Sequence, residues 1–174
     1  MTIPTNEYAP FYAPYIEKVP TGNLLEVYQA SATENRDFYA TVSPEKQNYA
    51  YAPGKWTIAE VLQHVIDMER IFAARLLRVG RGDQTPLPGV DQNDYAEAAS
   101  FELRPYDGLV EEYFLLKQSN LAMAKGFPSN AWARMGNASG NDVSARALFA
   151  MLVGHEQHHL RIIRERYFST SKGA

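Results

Sequence analysis

Residues recur at helical spacing in four stretches of the chain. Behind a capping signal at Thr21-Gly22-Asn23, the positions Leu24, Leu25, Tyr28, Ala32, Asn35 and Phe38 or Tyr39 predict a first helix that ends before Pro44. The second has the clearest start. Pro53-Gly54 breaks the chain, Thr57 can cap, and Glu60 stands three residues later as the capping-box partner. It is expected over about 57 to 79, with Ile58, Val61, Leu62, Val65, Met68, Phe72 and Leu76 as its apolar stripe and Gly80 and Gly82 at its end. A third is expected from about Tyr106 to Lys125, with Leu109, Tyr113, Leu116, Asn120 and Met123 on its inner line. A last one, over about 143 to 167, has Asn141 or Asp142 as cap and Leu148, Met151, Leu152, Ile162 and Ile163 as its stripe.

The segments between are less regular. Residues 1–20 carry four of the ten prolines and three tyrosines, which predicts an extended segment laid over the surface. Residues 80–104 hold three Gly and two Pro, leaving room for a short helix near Tyr95 to Ser100. Neighbours in a bundle are usually joined by about 2 to 8 residues, so this length predicts a crossover that lets the second and third helices run parallel. The stretch GFPSNAWARMGNASGND reads as a Gly-, Asn- and Ser-rich loop. With no convincing strand, the expected fold is an all-α four-helix bundle, one domain over 1–174 with a long crossover between helices two and three.

Composition narrows the function. A net charge of -3 with scattered Lys and Arg argues against nucleic acid, and the Arg161, Arg164, Arg166 group is interleaved with apolar and acidic residues. There is no Cys, so any metal must use His, Asp or Glu, and thiol catalysis by the chain's own residues is excluded. No apolar run approaches the about 20 residues that span a bilayer, and the N-terminus lacks the basic start and apolar stretch of a signal peptide. A cytoplasmic protein without membrane contact is expected.

Three of the four histidines fall in His155-Glu156-Gln157-His158-His159. At about 100° per residue, His155 and His159 lie within the apolar stripe of the last helix, one turn apart, where two imidazoles can share an ion in the bundle core. His158 falls at the stripe edge and reads as a supporting or surface residue. Glu156 points about 100° from His155, toward the bundle surface, and is a candidate general base or simply a solvated carboxylate. Two His rarely suffice for a metal. His64, on the margin of the second stripe, is the remaining His, and Glu69, on the apolar side of the same helix, is the carboxylate that could substitute for it or take a catalytic part. Residue types alone leave zinc, nickel, iron and manganese open.

His155 to His159 also matches the HExxH pattern of zinc peptidases. Those enzymes need a third ligand, commonly well downstream, and the fifteen residues after His159 hold no His, with Ile162 and Glu165 where an extended motif needs Gly and His.

A broader match spans YAPGKWTIAEVLQHVIDMERIFAARLLRVGRGD and FPSNAWARMGNASGNDVSARALFAMLVGHEQHHLRIIRERY. These stretches resemble the DinB-like, or YfiT-like, superfamily of metal-binding four-helix bundles. In that superfamily a Trp-Ser/Thr-Ile helix start precedes one His, and a His-x-x-x-His pair lies on the last helix. Here those elements are Trp56-Thr57-Ile58, His64, and His155 with His159. The resemblance implies one divalent ion, nickel, zinc or similar, with positions open to water, and parallel central helices. Some members look like thiol S-transferases and others are called hydrolases, so a metal-dependent enzyme of either type, acting on a small molecule or low-molecular-weight thiol, is expected. Arg78, Arg81, Asp91 and Tyr95, at or near the crossover, are candidate substrate contacts. The competing reading is a non-catalytic metal-binding or helical interaction protein, a homodimer through Phe11, Tyr12 and Trp132.

Overall fold

A computed structural model describes residues 3–99 and 104–168 of the chain. Four long helices form the bundle: α2 (Leu24–Ala40), α4 (Ile58–Gly80), α6 (Tyr106–Lys125) and α7 (Ala145–Ile162). Short helices α1 (Ala13–Ile16), α3 (Pro44–Gln47) and α5 (Gln92–Ala98) lie in the connections. The starts follow local chemistry. Thr57 and Glu60 form the reciprocal capping box of α4, and the Asn23 side chain accepts the Leu25 amide at 2.9 Å.

Side-chain pairs give the helix directions. Gln63 meets Arg104 and Arg70 meets Glu112, so α4 and α6 advance together and are parallel. Tyr39 meets Tyr106 while Gln29 meets Lys125, so α2 and α6 oppose one another. Tyr28 packs on Phe149 and Phe38 on Arg164, which makes α2 parallel to the last helix. The expected crossover is therefore present. It contains α5, capped by Asp91 and begun at Gln92, earlier than the sequence suggested; Ser100 lies outside the described residues.

Three expectations are corrected. Residues 135–144 are not a loop: β1 (Met135–Ala138) and β2 (Asn141–Ser144) form an antiparallel hairpin, with Ser139 and Gly140 both at positive φ in the two-residue turn. Ser144, not Asn141 or Asp142, caps α7 by accepting the Ala147 amide at 3.0 Å. Beyond Ile162 one π-type turn, Ile163–Tyr167, carries the chain on. Four-residue strands around a Ser-Gly turn leave too little alternation to stand out in the sequence. The hairpin also anchors the crossover, since Leu87 exchanges main-chain bonds with Asn137 and Ser139, each 2.9 Å.

The N-terminal segment is not merely extended. Two 3-10 turns, Thr5–Glu7 and Pro10–Tyr12, lead into α1, and the Glu7 carboxylate pairs with Arg146 of α7. Gly154 permits the close approach that follows. A Cβ there would stand 2.0 Å from the Tyr15 carbonyl oxygen.

Two apolar clusters fill the bundle, one around Phe72, Leu76, Leu148 and Leu152, the other around Tyr39, Leu62, Tyr113 and Leu160. A buried polar layer separates them. It holds Asn35, His64, Glu69, Lys117, Asn120, His155 and Glu156.

Candidate metal centre

His64 reaches the interior from α4, and His155 and His159 reach it from α7. Their Nε2 atoms converge: His155 lies 3.1 Å from His64 and 3.1 Å from His159, and the donor atoms of all three lie within 4.8 Å of one another. His64 is not on a half-exposed margin, being 4% exposed, because Trp56 stacks on it with ring centroids 4.9 Å apart.

Burial sets the protonation. Desolvation pushes His64 down to about 4 and, joined by the charges of His64 and His158, pushes His159 down to about 3; His155 also lies well below the usual imidazole range. All three are neutral at pH 7. A neutral imidazole nitrogen either donates one proton or accepts at one lone pair. His155 Nε2 faces two other nitrogens at the same distance, and one lone pair cannot serve both. Around a tetrahedral ion with bonds near 2.05 Å, neighbouring nitrogens stand roughly 3.3 Å apart, close to the separations seen. The three side chains therefore fit a divalent ion better than a hydrogen-bonded core.

Two cavities adjoin the cluster. One of about 530 Å³ is walled by Tyr12, Tyr15, Phe72, Arg75, Gln92 and His155 among others, and one of about 260 Å³ by Lys55, Trp56, Asn93 and His159 among others. Gln92 of the crossover borders both.

The two carboxylate candidates go elsewhere. Glu156 is not at the surface: it is 1% exposed because α6 covers that side of α7, and its carboxylate lies 2.9 Å from Lys117 Nζ. Burial raises the Glu156 carboxyl, with the Lys117 charge opposing. Glu69 is bonded by Tyr28, by Asn120 at 2.9 Å and by Lys117 at 2.7 Å, so its oxygens are engaged away from the three histidines. Burial opposes the Lys117 charge, but the two carboxylates outweigh it and hold the ammonium above its usual range.

His158 stays outside the cluster, half-buried against the Tyr15 ring. The crossover candidates are scattered. Arg78 pairs with Asp83 and Arg81 lies over Phe127, fourteen or more residues beyond His64 and so about 21 Å along α4 at 1.5 Å per residue. Asp91 caps α5, and Tyr95 lines a separate cavity with Asp67 and Arg104. Of the aromatics expected at a dimer surface, Phe11 is exposed, Trp132 is half-buried and Tyr12 belongs to the core. No helix among the described residues is long and apolar enough to cross a membrane.

Sequence reasoning missed Lys117, Tyr15 and Arg75. Only Arg75 left a signal: it follows His64 by eleven residues, about three turns, and so shares its face of α4.

A helical bundle with three converging imidazoles between two of its helices is thus the class of protein at hand. Residues 28–163 match the family profile of the DinB superfamily, and the chain belongs to that family. Among solved structures it is similar to YfiT from Bacillus subtilis, described as a probable metal-dependent hydrolase with an unusual four-helix bundle topology. The TM-score is 0.70 at 16% identity, covering 94% of this chain and 90% of that one, a likeness of fold. No curated protein matches the chain.

Proposed function

We propose that the protein is a metal-dependent enzyme that activates a small nucleophile at one divalent ion, zinc or nickel, held by His64, His155 and His159. The observation that carries this is the convergence of three neutral Nε2 atoms, with His155 facing both partners at 3.1 Å. A bound ion of this kind lowers the pKa of a coordinated thiol or water.

Between the two nucleophiles, the walls of the adjoining cavities favour a thiol. The described residues lining them contribute no carboxylate, whereas metal-assisted hydrolysis commonly uses one as general base, and Glu156 is occupied by Lys117. A thiol, with a free pKa near 8.5, needs no such base once a cation is beside it. Thiol S-transfer is therefore the leading reaction and hydrolysis the second, the latter supported by the likeness to YfiT, a probable metal-dependent hydrolase. The substrates are small molecules reaching the site through the two cavities.

The deciding experiment uses protein purified without a His tag. Elemental analysis is expected to show close to one ion per chain, and the loaded protein is expected to consume a small thiol in the presence of an electrophile faster than it cleaves esters. Metal-loaded protein inactive in both assays would leave a non-catalytic metal-binding bundle, and protein that takes up no metal would remove the reading altogether.

A further inference from the structure

Arg75 is buried, at 5% exposure, in the wall of the larger cavity. Its Nη2 donates to the Pro88 carbonyl at 2.7 Å and to Ser139 Oγ at 3.2 Å. These bonds tie helix α4 to the crossover and to the hairpin, and they fix the plane of the guanidinium. Among the described residues it has no carboxylate partner, and none lines the cavity. A guanidinium stays charged at any ordinary pH, and a charge taken out of water without a counter-charge is costly. Two neutral acceptors on one nitrogen do not discharge that cost. Its Nε and Nη1 donors remain for an anion; they lie on opposite edges of the guanidinium, so either can make a single charge-assisted bond to a carboxylate oxygen.

Most of the rest of the wall is apolar and aromatic, Phe11, Tyr12, Tyr15, Met68, Phe72 and Val90, with Gln92, Ser139 and His155 as its polar members. Phe72 stands between the charge and the histidines, its ring 6.0 Å from the guanidinium carbon and 5.7 Å from the His155 ring. A cavity of about 530 Å³ holds a small organic molecule comfortably.

We propose that this cavity binds a small aromatic or apolar carboxylate, with Arg75 holding the carboxylate and the body of the molecule lying over Phe72 toward His155. The assignment rests on the metal-centre reading only in placing the reacting end of the ligand at His155. Anion capture by Arg75 stands apart from it.

The test is calorimetric titration of phenylacetate and of neutral phenylacetamide into metal-free and metal-loaded protein. Metal-free wild type is expected to prefer the carboxylate by about tenfold or more, the range of hydrogen bonds to a charged group. Arg75→Gln is expected to abolish that preference while leaving metal uptake intact. Should Arg75→Gln fail to fold, Arg75→Lys, which keeps the charge but loses the guanidinium that Pro88 and Ser139 hold in place, is expected to weaken phenylacetate binding severalfold. Equal affinity for the two ligands in folded wild type, or an unchanged preference in the folded variant, would overturn the assignment. Carboxylate preference in a protein that takes up no metal would keep the Arg75 site and overturn the metal centre, whereas metal uptake without the preference would do the reverse.

Discussion

Lys117 and Glu156 are joined inside the bundle, Nζ to Oε2 at 2.9 Å, with each side chain 1% exposed. Glu69 takes the same ammonium from the other side at 2.7 Å. Two carboxylates thus share one lysine between the apolar clusters, and removing the lysine leaves both without their counter-charge. Lys117→Met is expected to cost about 3 to 5 kcal/mol in denaturant unfolding, as breaking one member of a buried pair does. Adding Glu156→Gln to it is expected to recover part of the loss. A strictly additive double variant would show that the two groups are not coupled.

Loss of any one of His64, His155 and His159 is expected to strip metal. Each alanine variant should lose affinity by more than the about 10- to 100-fold typical of an outer partner, read by competition with a chelator. His158→Ala should retain the ion, because its ring lies against Tyr15 and outside the converging trio. Retention of metal by His64→Ala would refute the three-His arrangement.

In metal-free protein, acid is expected to weaken the fold early. His64 is held at about 4 and His159 at about 3, while the same groups in the unfolded chain titrate near 6.5. Between those values the unfolded chain binds protons that the folded chain refuses, so stability falls as pH drops from 6.5 toward 4 and is level above that window. His155 is also held well below its usual range, by burial first and then by His159, His64, His158 and the Lys117 ammonium, and His158 opposes protonation of His159 as well. Urea midpoints at neutral pH and at about pH 5 read the slope, which His64→Gln should reduce.

Gly154→Ala is expected to lift the N-terminal segment. The added methyl would meet the Tyr15 backbone, which has no flexible end to turn aside. A stability loss of about 1 to 3 kcal/mol, the usual range for overpacking, should appear together with faster proteolysis between Tyr15 and Gly22. Unchanged proteolysis would show that the close approach at Gly154 is not what holds the segment, leaving the Glu7–Arg146 pair and the buried Tyr12 as its anchors.

What the sequence carried and what it concealed follow one physical line. Capping boxes, helical periodicity and a two-His spacing are local, so α4, α6 and the histidine pair on α7 could be read directly, and the length of the 80–104 connection implied the parallel pair. Glu156 was misplaced because its burial depends on which helix covers that side of α7, and the sequence does not say that α6 does. The hairpin escaped because each strand is four residues long. Arg75 shares the His64 face of α4, but its isolation from carboxylates is a property of three segments brought together. Lys117, four residues after Tyr113 and three before Asn120, stood at the edge of the inner line, where a lysine reads as solvated unless a buried partner is known.

Gln92 borders both cavities beside the histidines, and the segment that bears it is pinned at Leu87 to the hairpin. The imidazoles sit on two long helices of the bundle, while much of the surrounding wall is supplied by the crossover and the N-terminal segment. Under the proposed function such a division separates reactivity from selectivity: side-chain changes around Gln92 would redirect the protein to a different molecule while the three imidazoles stay on their helices.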